Sequence, residues 1–307
     1  MSATLIAVVL ALLLGHAMTP LARLRRHGWF DRWLAFGRSR FGHAFTSPLS
    51  LLISLGLPLL LVGWLQSALD GRFFGIPGFL FAMAVLIYCW GPRDLDLDVE
   101  AIEEAPDEAA RTRAIAQLAG EDRRPAADDE AGLVTAVFSG ARRRWFGVLL
   151  WFLLLGPFGA MLYRLTERGA GASIGHLPPA HAAAYRHLLA ILDWPVAQLM
   201  VLALAIAGNF DAVYGAWRDW HDARRGQPFD FSTGFLDAVA LAGERQSRRE
   251  ESAERARDAQ AGLDTPDDFP PDAPAALPAM HTAMTLIWRI LIVWLVVLAL
   301  FVLAGFV

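Results

Sequence analysis

The stretch that decides the fold covers residues 145–164 and reads WFGVLLWFLLLGPFGAMLYR. About 19 apolar residues closed by an arginine are enough to cross a bilayer as one helix. Gly156 and Pro157 interrupt the run, so this helix must carry a break whose backbone groups are satisfied by protein or water. Together with Gly159 and Ala160 they predict a kink and close packing against a neighbouring helix. A half-helix end aimed at an anion is the alternative interpretation.

The apolar residues of the chain are segregated into blocks. They make up 55% of its 307 residues, and strongly charged stretches separate the blocks. This segregation is typical of membrane proteins. We therefore expect an all-α, polytopic integral membrane protein with about five or six transmembrane helices and helical cytoplasmic loops. Cys89 is the only cysteine, which excludes an internal disulfide, a cysteine-based zinc site and a redox pair.

Six apolar segments mark the expected spans. They are residues 3–18, 48–65, 73–90, 145–163, 187–207 and 282–306. The first is short for a span and has a tilted or interfacial helix as its alternative. The chain then divides into N-terminal membrane helices (1–90), a cytoplasmic helical loop (91–144), two further membrane helices (145–207), a second cytoplasmic loop (208–281) and a C-terminal membrane helix (282–307).

Arginine provides all 27 basic residues, and it sets the expected topology. The arginines concentrate in the loop before residue 48 and in the loops 91–144 and 208–281. The alternate loops hold only Arg72, Arg164, Arg168 and Arg186. The positive-inside bias therefore places the three basic loops in the cytoplasm and the C-terminus outside. If the first segment does not span, only the N-terminus changes side.

The loop 91–144 opens with alternating carboxylates at Asp94, Asp96 and Asp98. An EF-hand would need glycine in place of Val99 and glutamate in place of Ala105, so calcium binding is excluded. Acidic residues suit the first turn of a helix because of the helix dipole. Amphipathic helices packed back on the membrane domain are expected from the apolar positions Val99, Ile102, Ala109, Ile115 and Leu118.

The loop 208–281 contains two unusual stretches. Residues 243–262 are almost all Arg, Glu, Gln, Ser and Ala, and they predict a solvated helix or a disordered arm. In the predicted helix, i,i+4 ion pairs would join Glu244 to Arg248 and Glu251 to Arg255. Residues 265–278 (TPDDFPPDAPAALP) predict a flexible tether, with a docking segment as the alternative.

Ionisable residues at membrane depth are the candidates for a binding site, because charges inside bilayers are expensive. Asp193 is followed by Trp194 and Pro195, which predicts either a broken helix or a helix N-capped by Asp193. Arg164 either snorkels to headgroups or pairs with an anion, namely Asp193 or a ligand phosphate. Arg289 interrupts the last apolar segment, and it either snorkels or takes part in the site.

Several other chemistries are not supported. His176, His181 and His187 are spaced by five and six residues, which does not place them on one helix face, so we expect no metal site. No phosphate-binding loop, zinc-protease motif, serine nucleophile elbow or dinucleotide fingerprint occurs, so no cofactor is expected. The basic loops are equally acidic, which argues against nucleic-acid binding.

Separated stretches of the chain resemble the AmpE branch of the AmpE/CobD/CbiB membrane proteins. The most specific is residues 151–164, which include Tyr163. The other similar stretches are 24–34 (LRRHGWFDRWL), 91–95 (GPRDL) with 109–111, 191–194 (ILDW), and 207–210 (AGNF) with Trp217. The chain departs from the family pattern at Pro195, which comes one place early, and at Gln198, which stands where an arginine is usual.

The resemblance implies a regulatory protein of the bacterial inner membrane. That family is linked to induction of chromosomal β-lactamase and to the sensing of cell-wall recycling. The ligand-binding candidates are Asp193, Arg164, Tyr163, Gln198 and Arg289. The implied partners are the lipid bilayer, an anionic cell-wall-derived or phosphate-bearing ligand, and a cytoplasmic protein that meets the loops 91–144 and 208–281.

Two alternatives remain. The sister branch, the adenosylcobinamide-phosphate synthases of cobalamin biosynthesis, carries a His-Pro-Ser-Pro-Asn-type loop before its last helix. The corresponding residues 227–234 (QPFDFSTG) lack the histidine and the asparagine, which favours a regulator over an enzyme. A small transporter is the other alternative, although the chain shows no internal repeat of the kind that many transporters have.

Overall fold

The computed structural model describes residues 28–41, 50–70, 75–90, 95–119, 125–126, 129–171, 177–227, 230–261 and 276–304. All regular structure within these ranges is helical, which confirms the expected all-α class. In chain order the helices are α1 Gly28–Phe41, α2 Ser50–Leu69, α3 Ile76–Cys89, α4 Leu95–Glu103, α5 Glu108–Ala119, α6 Glu130–Ala141, a π-helix Arg142–Phe146, α7 Gly147–Leu155, α8 Pro157–Ala170, α9 Pro179–Ala207, α10 Phe210–Asp222, α11 Gly234–Gln260 and α12 Ala276–Leu303.

Three of the described helices are long and apolar enough to cross a membrane. They are α2, α9 and the stretch Leu277–Phe301 within α12. The apolar helix α3 has only 14 residues, which is short for a span. The expected segment 3–18 lies outside the described residues. The structure therefore supports a helical membrane protein, and the number of five or six spans stays a prediction.

The chain divides into two compact units. Unit 1 comprises Met1–Asp94, Arg143–Val196 and Val297–Val307, and within it α8 packs against α2, α3 and α7. Unit 2 comprises Leu95–Arg142 and Ala197–Val296, and within it α11 packs against α6 and α10. The residues expected to bind a ligand are therefore distributed over two bodies, each with its own core.

The helices α7 and α8 form a hairpin, which corrects the prediction of one membrane-spanning helix over residues 145–163. A Cβ atom on Gly147 would overlap the ring of Tyr163, so the start of α7 lies beside the middle of α8. The chain reverses at Gly156, whose φ of 66° and ψ of −150° are open to glycine but strained for other residues. Pro157 then begins α8, where its missing N–H costs nothing. Hydropathy is the same for a straight helix and a hairpin, so it does not distinguish them.

Helix α9 begins well before Asp193, which corrects the interpretation of that residue as an N-cap. Asp193 and Pro195 both lie in the helix interior. Because proline has no N–H, the carbonyl of Ile191 loses its usual helical donor. The indole of Trp151 donates a hydrogen bond of 3.1 Å to the adjacent carbonyl of Leu192, so α7 supports α9 where the proline weakens it.

In unit 2, α4 carries Asp96 and Asp98 in its first turn. Four of the five apolar positions expected to be buried are buried, namely Val99, Ile102, Ile115 and Leu118. Ala109 is exposed, because it lies in the first turn of α5 on the side away from α4 and α6. Both short helices pack on α6, which is buried over most of its length.

The charged stretch is helical over residues 243–260, which belong to α11, so a disordered arm is wrong for these residues. The helix starts earlier, at Gly234, and its first turns bury Phe235, Leu236, Val239 and Ala240. Both expected i,i+4 ion pairs form, at 3.3 Å for Glu244 with Arg248 and at 3.7 Å for Glu251 with Arg255. Most of the expected tether lies outside the described residues, but α12 already begins at Ala276. Pro278 fits there because the first helical turn needs no N–H donor.

Candidate functional site

Unit 1 contains a buried arginine in the middle of α8. The side chain of Arg164 is only 2% exposed. Its Nε donates a hydrogen bond of 2.6 Å to the carbonyl of Cys89, and its Nη1 lies 3.0 Å from Oε2 of Glu167. Its Nη2 has no hydrogen-bond partner in the described structure. A buried donor without a partner lowers the stability of the fold by about 1–3 kcal/mol, and by more when it is charged. An additional acceptor that hydrogen-bonds to Nη2 would therefore be stabilising.

The sequence explains both partners of Arg164. Cys89 is the last residue of α3, and the final carbonyls of a helix have no donor within it. They also carry the negative end of the helix dipole, which favours a cation. Glu167 follows three residues later on α8 and therefore lies on the same helix face as Arg164.

A second buried contact joins α8 to α9. The hydroxyl of Tyr163 donates a hydrogen bond of 2.7 Å to Oδ1 of Asp193. Tyr163 is fully buried and Asp193 is 4% exposed. The Tyr163 ring fits because Gly147 of α7 has no side chain. A hydrogen bond to a carboxylate is stronger than one between neutral groups, so this contact fixes the position of Asp193.

One turn beyond Arg164, α8 pairs with α1. Arg168 contacts Asp31 through two nitrogens, at 2.5 Å and 3.2 Å, in the forked geometry that suits a guanidinium and a carboxylate. Both side chains are 37% exposed. Another contact of α1 is made by Trp29, which donates a hydrogen bond of 2.5 Å to the hydroxyl of Tyr88 at the end of α3.

Arg164 and Arg168 lie one turn apart on α8, with Glu167 and Asp31 as the neighbouring carboxyl groups. Each arginine is already paired with one carboxyl group. A ligand anion at Arg164 must therefore share the guanidinium with Glu167 or replace it. Replacement is physically open, because the Glu167 side chain is 26% exposed and can turn towards solvent.

Of the five expected site residues, the structure shows two in direct contact, Tyr163 and Asp193. Tyr163, Arg164 and Asp193 all lie in unit 1, but the ion-pair partner of Arg164 is Glu167 and the donor to Asp193 is Tyr163. Gln198 is half-buried and belongs to unit 2. Arg289 also belongs to unit 2 and is exposed.

Sequence reasoning missed Glu167 and Gln66. Gln66 of α2 holds the break between α7 and α8, because its Nε2 donates to the carbonyl of Leu155 at 3.3 Å. Its Oε1 accepts a hydrogen bond of 3.0 Å from the N–H of Phe158. Glu167 was detectable from its i,i+3 spacing to Arg164, whereas nothing in the sequence relates Gln66 to a turn about 90 residues away.

Another buried polar cluster connects α2 to α9. The Ser54 hydroxyl lies 2.7 Å from the hydroxyl of Tyr185 and 3.3 Å from Nε2 of His181. The His181 ring stacks on Tyr185 with centroids 5.1 Å apart. All three side chains are fully buried, which suits a packing contact. Within the described ranges, no three His, Cys, Asp or Glu residues group to hold a metal, and His176 lies outside them.

Around Arg164, the described residues leave one guanidinium nitrogen without a hydrogen-bond partner and provide an ion pair with Glu167 that can exchange. These groups can bind and orient an anionic group at Arg164. No family model, curated protein or solved structure matches this chain.

Proposed function

We propose that this chain is a regulatory protein of the bacterial inner membrane, similar to the AmpE family and linked to β-lactamase induction and the sensing of cell-wall recycling. The three helices that can cross a membrane support the membrane placement. In this proposal α2, α9 and α12 cross the bilayer, the arginine-rich loop 208–281 lies in the cytoplasm, and the C-terminus lies in the periplasm. The distribution of arginines supports that orientation.

The observation that carries the proposal is the free Nη2 of the buried Arg164. A guanidinium presents several N–H donors in one plane, and carboxylate or phosphate oxygens match that geometry. An anionic cell-wall-derived or phosphate-bearing ligand would supply the missing acceptor. Low exposure strengthens such a contact, because water competes less in a buried site.

Glu167 gives the site two states. Without ligand its carboxylate neutralises Arg164 across 3.0 Å. With ligand, the anion takes over the guanidinium and Glu167 moves towards solvent. Tyr163 and Asp193 stay bonded in both states and keep α8 attached to α9.

The ligand state would be reported through the loop 208–281 to a cytoplasmic protein partner. The second half of α11 suits such a contact, because residues 249–258 are mostly exposed and carry both signs of charge. Mixed charge on an exposed helix gives orientation and specificity to a protein contact more than it gives raw affinity.

β-Lactamase induction tests the proposal. A bacterium that lacks its own AmpE-type gene would express this chain, and induction by a β-lactam would be measured. We expect Arg164→Lys to lose the response, because lysine keeps the charge but not the planar fork. Arg186→Lys, on an exposed position of α9, is the matched control and should respond like the parent chain. Equal responses of both variants, at equal amounts in the membrane, would contradict the proposal.

A second assay separates regulation from the corrinoid chemistry of the sister branch. A bacterium lacking its adenosylcobinamide-phosphate synthase would receive this chain and grow on cobyric acid as sole corrinoid. The regulatory proposal expects no growth while the protein is present in membranes. Growth would show that synthase chemistry operates without the histidine and asparagine of the usual loop, and would replace the regulator with an enzyme.

A further inference from the structure

Helix α10 of unit 2 carries a continuous row of aromatic rings. Phe210 stacks on Tyr214 with centroids 5.7 Å apart, and Tyr214 stacks on Trp217 at 6.2 Å. Trp217 in turn lies 4.2 Å from the ring of His221. The spacing of three and four residues places all four rings on one face of the helix. We call this row the aromatic ladder.

Apart from His221, which lies 5.7 Å from the ring of Phe235 in α11, the aromatic ladder is not the face that α10 uses to pack inside unit 2. Packing on α11 is made by a neighbouring face, where Val213 is 1% exposed and Trp220 contacts Phe235 at 5.6 Å. On the ladder, Phe210 is 58% exposed and Tyr214 is 49% exposed. A large apolar surface is therefore left outside the core of unit 2, and such surfaces usually mark interaction sites.

The remaining faces of α10 are polar. Asp211, Arg218, Asp219 and Asp222 are all exposed there. Arg224, just past the helix end, lies 4.0 Å above the ring of Trp220. An amphipathic helix with Phe, Tyr and Trp on one side and charges on the other is the type that lies in a membrane interface. Indole and phenol rings favour that layer because they have an apolar body and a polar edge.

The position of α10 in the chain points to the same partner. α9, one of the helices able to cross a membrane, ends at Ala207. Only Gly208 and Asn209 separate it from α10, and the Asn209 side chain accepts a hydrogen bond of 3.1 Å from the N–H of Ala212. This N-cap fixes where the new helix begins. With two intervening residues, α10 must start within the interface in which α9 ends.

We propose that α10 is an interfacial helix whose aromatic ladder inserts between the lipid headgroups of the membrane that α9 crosses. Arg218 on the helix and Arg224 and Arg225 just past its end are exposed, and in this proposal they contact lipid phosphates. The helix thereby anchors the start of the loop 208–281 to the bilayer surface. This surface is distinct from the Arg164 site and needs no ligand, so it stands apart from the proposed function.

Spin labels on the full-length chain test this proposal. The protein would be reconstituted into nanodiscs of phosphatidylethanolamine and phosphatidylglycerol, with Tyr214→Cys labelled on the ladder. Asp219→Cys, on the opposite side of the same helix, is the matched control. The parent chain measures background labelling, since its only thiol, Cys89, is buried. Phe210→Cys provides a second ladder position if Tyr214→Cys does not fold.

We expect the ladder label to collide mainly with oxygen, which concentrates in lipid, and the control label to collide mainly with a water-soluble nickel chelate. Equal access of the nickel chelate to both labels would place the ladder in water and overturn the proposal. A ladder label shielded from both reagents would mean that protein covers the face, either a second copy or a partner, and would also overturn it.

Discussion

Gly147→Ala tests the hairpin of α7 and α8 at the closest approach of the two helices. A Cβ atom at this position would overlap the ring of Tyr163. The ring cannot move away freely, because Tyr163 is fully buried and its hydroxyl is bonded to Asp193 at 2.7 Å. In one continuous helix the two residues would be about 24 Å apart and the substitution would touch nothing.

The magnitude follows from three contributions. Forcing a methyl group into a packed contact costs about 1–3 kcal/mol. Displacing the Tyr163 hydroxyl from the carboxyl group of Asp193 costs about 1.5–3 kcal/mol more. Replacing glycine by alanine within a helix raises the free energy of unfolding by about 0.5–1 kcal/mol. We therefore expect Gly147→Ala to lower the free energy of unfolding by roughly 2–5 kcal/mol.

The assay is reversible unfolding in mixed detergent micelles, followed by circular dichroism. Gly56→Ala is the matched control, because Gly56 lies in α2 and has nothing within 4 Å of a built Cβ atom. This control should be neutral or slightly stabilised. The penalty of Gly147→Ala should also shrink when Tyr163→Ala is present in the same chain. A penalty that is absent in Gly147→Ala, or unchanged in the double variant, would refute the hairpin.

Three further predictions follow from single contacts. Tyr163→Phe removes one hydrogen bond to Asp193 and should lower the free energy of unfolding by about 1.5–3 kcal/mol; an unchanged value would show that this bond does not support the buried carboxyl group. Gln66→Leu removes both bonds that hold the break at Gly156, at 3.3 Å and 3.0 Å, and should cost roughly 1–2 kcal/mol in the same micelle assay. Burial raises the pKa of Glu244 in the folded chain above its unfolded value of about 4.3. The contribution of Glu244 to the free energy of unfolding therefore falls as the pH rises from the unfolded pKa through the folded pKa. Glu244→Gln should therefore gain stability relative to the parent chain as the pH rises above about 4.3, and a pH-independent difference would contradict this assignment.

The local signals of the sequence predict local structure well. The break at Gly156 and Pro157 follows from backbone chemistry, and the ion pairs of α11 follow from i,i+4 spacing. The direction of the chain after the break does not follow, because an apolar run has the same hydropathy in a straight helix and in a hairpin. The contact between Gly147 and Tyr163 is what decides it.

In the candidate site, too, local features could be predicted and long-range contacts could not. Burial of Asp193 and Arg164 was predictable from the cost of charge in an apolar segment. Their partners were not, because the carbonyl of Cys89 lies 75 residues from Arg164 along the chain. The position of Asp193 within its helix was ambiguous, because the nearby Pro195 is tolerated both in a first helical turn and, with outside support, in a helix interior. The indole of Trp151, bonded to Leu192, provides that support.

Ligand-induced stabilisation of three chains would test the central claim, that Arg164 binds an anion in exchange for Glu167. Unfolding temperatures in nanodiscs would be measured with and without muropeptides, the carboxylate-bearing fragments of the cell wall. A ligand that binds only the folded chain raises this temperature by mass action. We predict an increase for the parent chain, a larger one for Glu167→Gln, which removes the competing carboxylate, and none for Arg164→Lys. An equal increase in all three chains would contradict the account.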